Sequence, residues 1–242
     1  MRFVLAAFLL AWFVPLPRGH FWTLCWISFI AATLQYGLTF SGLALMAATP
    51  AVLLVQSEVI FGVIIAAILL GERPSLRQIL GIAMASCGVV VILGAPALEG
   101  QWLGIGLVLS GALVWAFGQV LIRRLDGALG GFQLTAWIGV MAGPQMLLAS
   151  CLIDGNPLPA IQAAPIEAWL TVIYLGVVMT AIGYSAWYYV LARYPVPMVM
   201  PVLLLLPVAA IFGAVTMLGE VPDPMVLAGG IVVIFGVGVV VV

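Results

Sequence analysis

Ionisable side chains are scarce enough in this 242-residue chain to be weighed one at a time. Glu58 is the only carboxylate well inside an apolar run, and it follows directly on Gln56 and Ser57. A carboxyl group in hydrocarbon is costly to hold there and can exchange a proton. Glu58 is therefore a candidate for proton coupling or substrate contact. The competing role is structural: a neutral Glu hydrogen-bonded across helices, or one paired with Arg2. Trp115 and Gln119 are four apart, which puts them on one face of a helix. Gln35 and Tyr36 lie midway along one apolar run, Tyr184 and Trp187 in another, and Trp137 and Gln145 in a third. Together these residues offer aromatic walls with a few polar contacts, the usual character of a small-molecule site. Taken singly, each is as readily a packing residue or an interfacial anchor, and Trp22 and Trp102, beside segment ends, read as anchors.

Other chemistries find no residues to carry them. His20 is the single histidine, and the sequence holds no His/Cys/Asp cluster, serine motif or glycine-rich phosphate loop. An intramembrane enzyme needs a nucleophile with its base, or a pair of acids, and one deep acid is not enough. No cofactor and no metal site is expected. Cys25, Cys87 and Cys151 are far apart in apolar stretches, which suits neither a disulfide framework nor zinc spacing. Cys25 and Cys87 read as small packing residues.

The elements that must position the candidates follow from composition. Hydrophobic residues make up 66% of the chain and charged residues 6%, against about 45–50% and about 25% in soluble domains. Mean hydropathy is +1.34. So much apolar surface with so few charges to cover it fits a bilayer, where only ends and loops need be polar. The chain contains no lysine and its net charge is −1, which excludes a basic patch for nucleic acid. Partners are instead the lipid bilayer, a small-molecule substrate and, through Glu58, protons, in a monomer or homodimer.

Apolar runs bounded by turn residues give nine segments: 3–14, 21–46, 50–70, 79–94, 102–122, 131–152, 166–191, 197–218 and 225–242. Helices are expected, because an open sheet cannot satisfy its backbone in lipid. Arg18, Arg73, Arg77, Arg123, Arg124 and Arg193 all fall in odd-numbered loops, whereas Glu99, Asp154, Glu220 and Asp223 fall in even-numbered ones. Arginine bias of this kind puts the odd loops and the C-terminus in the cytoplasm. The first segment is the misfit. It has only about 12 apolar residues, too few to span, and this topology starts Met1-Arg2 on the outer side. A chain beginning inside a membrane helix accounts for both; a signal peptide is the other reading, although Val14-Pro15-Leu16-Pro17-Arg18 offers no small-residue cleavage site.

The chain also repeats itself. Leu70-Gly71-Glu72-Arg73-Pro74 matches Leu218-Gly219-Glu220-Val221-Pro222 at an offset of 148, and the same offset pairs Gly81 with Gly229, Gly88 with Gly236 and Tyr36 with Tyr184. One Gly-Glu loop falls inside and the other outside, so the copies are inverted. Segments 1–4 then correspond to 6–9, and segment 5 lacks a counterpart. The expected fold is an all-α integral membrane protein: nine visible transmembrane helices from a ten-helix fold of two inverted five-helix repeats, the first helix missing. The first repeat covers 1–94, an outer connection 95–101, and the second repeat 102–242. Pro201 and Pro207 should kink or loosen their helix, Gly139-x3-Gly143 suits close helix packing, and Gly71-Glu72 reads as a helix C-terminal turn with a structural carboxylate.

Thr49-Pro50 opening a helix, Leu69-Leu70-Gly71-Glu72-Arg73-Pro74, and Gly81-x6-Gly88-Val89-Val90 resemble the end of an EamA repeat; Trp115-Ala116 ahead of Arg123-Arg124 resembles the first helix of the second. Both belong to the drug/metabolite transporter superfamily. Val55-Gln56-Ser57-Glu58, Gly183-Tyr184-Ser185-Ala186-Trp187 and Leu191-Ala192-Arg193-Tyr194 are similar to the branch of bacterial O-acetylserine and cysteine exporters. The resemblance implies a multi-pass bacterial inner-membrane exporter of small metabolites, amino acids or their derivatives, working by alternating access. It also implies that Arg2, matching an arginine of the family's second helix, holds a substrate carboxylate. The substrate-contact set is then Arg2, Gln35, Tyr36, Gln56, Glu58, Trp115, Gln119, Trp137, Tyr184 and Trp187. A broad-range drug or nucleotide-sugar carrier, and a truncated membrane protein without transport activity, are the alternatives.

Overall fold

The computed structural model of the protein describes residues 1–46, 51, 54–93, 101–125, 127–153, 155, 157–218 and 224–241. Its secondary structure is helical, with no strand among the described residues. Along the chain run α1 (Arg2–Leu10), a 3₁₀ turn (Ala11–Phe13), α2 (Phe21–Ser28), a π-helical segment (Phe29–Leu34), α3 (Gln35–Leu43), α4 (Ser57–Leu69), α5 (Leu76–Leu93), α6 (Trp102–Arg123), α7 (Gly131–Ile153) and α8 (Leu158–Gln162). There follow α9 (Ile166–Tyr174), a second π segment (Leu175–Tyr184), α10 (Ser185–Leu191), α11 (Val196–Val199), a 3₁₀ stretch (Met200–Leu205), α12 (Leu206–Leu218) and α13 (Pro224–Val241).

Among the described residues, six stretches are long and apolar enough to cross a membrane: Phe21–Leu43, Trp102–Arg123, Gly131–Leu152, Ile166–Leu191, Val196–Gly213 and Pro224–Val241. Arg2–Phe13, Ser57–Leu69 and Leu76–Ile92 are shorter apolar helices. Large apolar side chains such as Phe8, Ile68, Trp102, Phe212 and Phe235 are left exposed. An aqueous protein would bury them; a bilayer solvates them.

The helices gather into two compact units. The first comprises Met1–Gly37 and Leu121–Arg193. In it α1 packs on α7 and on the second π segment, and α7 also packs on α2 and α10. Gly139 and Gly143 admit α1 at close range: a Cβ on Gly139 would stand 3.0 Å from the Phe3 carbonyl oxygen, and one on Gly143 2.9 Å from a Val4 methyl. This is the close-packing face expected of that pair. Small residues suit a medium in which lipid is as apolar as leucine and helices are drawn together by contact rather than by water.

The second unit comprises Leu38–Val120 and Tyr194–Val242. Its dominant contact is α5 against α13, built from reciprocal glycines. A Cβ on Gly81 would lie 2.7 Å from the Gly236 carbonyl oxygen, and one on Gly236 2.8 Å from that of Gly81. Gly88 and Gly229 meet in the same way, at 2.8 and 2.9 Å.

Several elements differ from the expected segments. The stretch 50–70 is broken by a turn at Gln56, so α4 begins only at Ser57; Thr49 and Pro50 lie outside the described residues. The run 197–218 is loosened as its prolines require: Pro201 stands at the start of the 3₁₀ stretch and α-helix resumes at Leu206, ahead of Pro207. Proline lacks the N–H for an α-helical bond and crowds the preceding turn. The runs 21–46 and 166–191 each carry a π segment that hydrophobicity alone does not reveal. The short α8 forms after Pro157 in a stretch expected to be loop.

The Gly71-Glu72 turn has a definite task. Gly71 takes φ +71°, the left-handed conformation that ends a helix, and Oε2 of Glu72 accepts a 2.7 Å hydrogen bond from the Val196 N–H at the start of α11. A carboxylate at a helix N-terminus satisfies one of its orphan donors and meets the positive end of its dipole. The counterpart Glu220 lies outside the described residues, as do Glu99, Asp154 and Asp223.

Candidate functional site

The sequence candidates divide between the two units. In the first, α1 delivers Arg2 and α3 delivers Tyr36. The Arg2 guanidinium carbon sits 4.3 Å from the centroid of the Tyr36 ring and 5.0 Å from that of Phe3. These cation–π distances orient the charge without neutralising it. Nη2 of Arg2 is buried and has no hydrogen-bond acceptor among the described residues. The Phe3 and Tyr36 rings meet edge to face at 5.8 Å, and Phe3, Ala32 and Ala142 form the apolar floor beneath Tyr36.

The Tyr36 hydroxyl is 3.1 Å from the Tyr184 hydroxyl, within hydrogen-bond distance. The two partners are 148 residues apart, the offset of the sequence repeat. The Tyr184 ring packs tilted by 42° against Tyr188, centroids 5.6 Å apart, and Tyr188 is 4% exposed. The site thus joins a cation, two bonded phenols and a third aromatic ring. It can hold an anionic group at the guanidinium and stack an apolar body against the rings.

Both tyrosines lie at the C-terminal side of a π segment. Tyr36 comes two residues after Phe29–Leu34, and Tyr184 closes Leu175–Tyr184. A π turn widens the helix and shifts every later side chain around the axis, and such segments collect at functional positions. Its displaced carbonyls still need donors inside a membrane. Ser28 Oγ donates to the Cys25 carbonyl at 2.8 Å, and Gln145 Nε2 reaches the same carbonyl at 3.3 Å. Gln145 Oε1 accepts from Thr33 Oγ1 at 3.0 Å. In the second π segment Thr180 Oγ1 donates to the Leu175 carbonyl at 2.7 Å, spanning five residues. Gln145 is thus engaged in helix support.

Gln35 is buried beside Tyr36, and Trp187 is half-buried on the helix of Tyr184. Trp137 is placed differently: its indole N–H donates to the Pro15 carbonyl at 3.0 Å, the same oxygen that Gln133 reaches. It pins the loop after the first helix. Phe3, Tyr188, Thr33 and Thr180 were not singled out from sequence. The Tyr184-to-Tyr188 spacing of four was the signal for one of them; for the others only the fold supplies it.

In the second unit Gln56 and Glu58 are each 8% exposed. Oε1 of Gln56 is buried with no donor among the described residues. Glu58 stands in the first turn of α4, where the chain restarts its helix after the turn at Gln56, and Ser57 Oγ returns to the Leu54 carbonyl at 2.6 Å. A helix N-terminus favours negative charge and anionic ligands, and interrupted helices with such ends are a recurrent way to build transport sites. Trp115 and Gln119 are also buried in this unit, at 7% and 0% exposure. Trp22 and Trp102, by contrast, are 74% and 73% exposed, as suits rings lying against lipid headgroups. No cluster of three or more metal-ligating side chains occurs among the described residues.

Helices of this length and apolarity, with polar groups gathered inside, define a multi-pass membrane protein of the transporter class. Residues 1–94 and 102–242 match the EamA-like transporter family, and the chain belongs to it. It is similar to the probable amino-acid metabolite efflux pump of Salmonella typhimurium, at 29% identity over 98% of this chain and 82% of that one. The protein of the same description from Escherichia coli is 28% identical with the same coverage. A probable terminal-alkyne amino-acid exporter of Streptantibioticus cattleyicolor is 33% identical over 76% of this chain and 61% of its own length. In fold, a solved crystal structure 22% identical in sequence superimposes with a TM-score of 0.82, covering 99% of this chain and 85% of that one.

Proposed function

We propose that the chain exports a small carboxylate-bearing metabolite of the amino-acid type across the bacterial inner membrane, by alternating access of two inverted repeats, 1–94 and 102–242. The observation that carries this reading is Arg2: a guanidinium held by Tyr36 and Phe3, with a buried Nη2 that lacks an acceptor among the described residues. A charge is kept inside a membrane bundle only for a use, and an arginine fork suits a carboxylate. The names of the efflux-pump and exporter relatives point to the same substrate class. Tyr36, Tyr184, Gln35 and Trp187 form the remaining contacts around Arg2 within its own unit. Glu58 is the proton-coupling group, and Gln56, Trp115 and Gln119 are the further substrate-contact candidates of the second unit taken by itself.

The inverted-repeat reading draws support from reciprocity. When two copies are related by a two-fold axis, a residue on the axis touches its own counterpart, and off-axis contacts come in exchanged pairs. Tyr36 bonds Tyr184, and Gly81–Gly236 is exchanged with Gly88–Gly229. The π segments and the interrupted helices at Gln56 and Met200–Leu205 also fall at matching places along the 148-residue offset.

Purified protein in vesicles, loaded with cysteine, O-acetylserine or other amino acids, tests the proposal. Efflux of at least one amino acid, enhanced by a pH gradient and weakened in Arg2→Gln through a higher KM, is the expected result. Movement of cationic dyes with no movement of any amino acid would reassign the chain to drug efflux.

A further inference from the structure

On the surface of the first unit lies a groove that the transport site does not use. Thr23, Trp26 and Ile27 of α2 line one side, and Leu121, Arg124 and Leu125, at and just beyond the end of α6, line the other; its volume is about 470 Å³. Trp26 is 64% exposed and Arg124 is exposed, so neither side chain is committed to the core. The neighbouring arginines are engaged within the protein. Arg123 Nη1 donates to the Ala192 carbonyl at 2.8 Å, while Arg193 lies 3.5 Å over the Tyr189 ring and donates to the Tyr189 carbonyl. Arg124 is the one that faces the groove.

The location is as informative as the lining. The groove sits at the first turns of α2, just after Arg18 and His20, and at the last turn of α6, so it opens at the arginine-bearing end of both helices. Trp22, a residue away from Thr23, is 74% exposed there. Arginine with exposed tryptophan marks the headgroup depth of a bilayer. An apolar trough ending in a guanidinium at that depth has the amphipathic form of a phospholipid. Guanidinium binds phosphate through two parallel hydrogen bonds, and the charge of Arg124, the arginine that lines the groove, favours a headgroup of net negative charge.

We propose that this groove is a binding site for an anionic phospholipid of the arginine-side leaflet. Its phosphate rests on Arg124 with the Thr23 hydroxyl as a second donor, and an acyl chain runs along Trp26, Ile27, Leu121 and Leu125. The site is separate from the transport reading and its test needs no substrate.

The protein is reconstituted in vesicles of brominated phosphatidylglycerol or brominated phosphatidylcholine. The quenching that belongs to Trp26 is obtained as the difference from a Trp26→Phe protein. Brominated phosphatidylglycerol should quench Trp26 with an apparent affinity about fivefold above that of the choline lipid, the effect of one basic side chain near an anionic surface. Arg124→Gln should abolish that preference and Arg124→Lys should retain part of it. Inorganic phosphate exchanged for chloride at constant ionic strength should leave it unchanged. Equal quenching by the two lipids in the unaltered protein, which needs no Arg124 variant to fold, overturns the proposal. So does a preference that survives Arg124→Gln, or one that free phosphate removes.

Discussion

Arg2 shows how much chemistry one membrane residue can concentrate. Its guanidinium is held by ring faces rather than by a carboxylate, 4.3 Å from Tyr36 and 5.0 Å from Phe3, which leaves its charge available to a ligand. Hydrogen bonds to a charged group contribute about 1.5–3 kcal/mol, so Arg2→Gln should raise the KM for a carboxylate substrate roughly 10- to 100-fold in vesicle efflux. Arg2→Lys should restore only part of it, because an ammonium neither stacks on the ring nor binds in two places at once. The Tyr36–Tyr184 bond can be weighed with a double-mutant cycle. Tyr36→Phe and Tyr184→Phe should be non-additive in thermal unfolding by about 0.5–1.5 kcal/mol, the net worth of one such bond. Additive losses would show that the 3.1 Å contact contributes nothing. Glu58 is tested by charge removal at constant shape: Glu58→Gln should leave efflux running but insensitive to a pH gradient. Unchanged pH dependence would return Glu58 to a structural role.

Helices in this chain are interrupted where polar side chains, both local and distant in sequence, bond the backbone. Just ahead of the first π segment, in α2, the Cys25 carbonyl is met by Ser28 and by Gln145, which comes from another helix; in the second π segment, Thr180 closes on the Leu175 carbonyl. Gln145→Leu should therefore destabilise, since it removes the side-chain acceptor of Thr33 and one of several donors to the Cys25 carbonyl, which keeps its bond from Ser28. Reading runs of apolar residues located these helices to within a few positions. It could not see the π turns or the break at Gln56, because an apolar run looks the same in α, π or 3₁₀ register until the partners of its carbonyls are known. Proline was the exception. Pro201 and Pro207 act through their own rings, and the 3₁₀ stretch Met200–Leu205 lies where they demand it. The glycines of α5 and α13 make the corresponding packing prediction. Gly88→Val would drive a side chain into the Gly229 carbonyl, where even a Cβ stands at 2.8 Å, and should lower the unfolding free energy in detergent by about 1–3 kcal/mol or more.

At the scale of the molecule, arginine placement predicts orientation. Cysteines introduced at Gln133 and at Arg193 into a background lacking Cys25, Cys87 and Cys151 should react with impermeant thiol reagents only from the cytoplasmic side, and a reporter fused after Val242 should also read cytoplasmic. Labelling of both positions from outside would invert the topology. Sequence alone settled that this is a helical membrane protein with matched glycines and tyrosines in its two halves, because composition, turn residues and charge bias act locally and leave a linear record. It also singled out Arg2, Tyr36, Tyr184, Gln56 and Glu58 as groups that a membrane would not hold without reason. Which of them meet was decided only in three dimensions. The helical period tells which face a residue occupies but not what stands opposite. Tyr36 finding Tyr184, Arg2 settling on two rings, and Trp137 turning to Pro15 all depend on helix packing, set by close glycine contacts between segments more than a hundred residues apart.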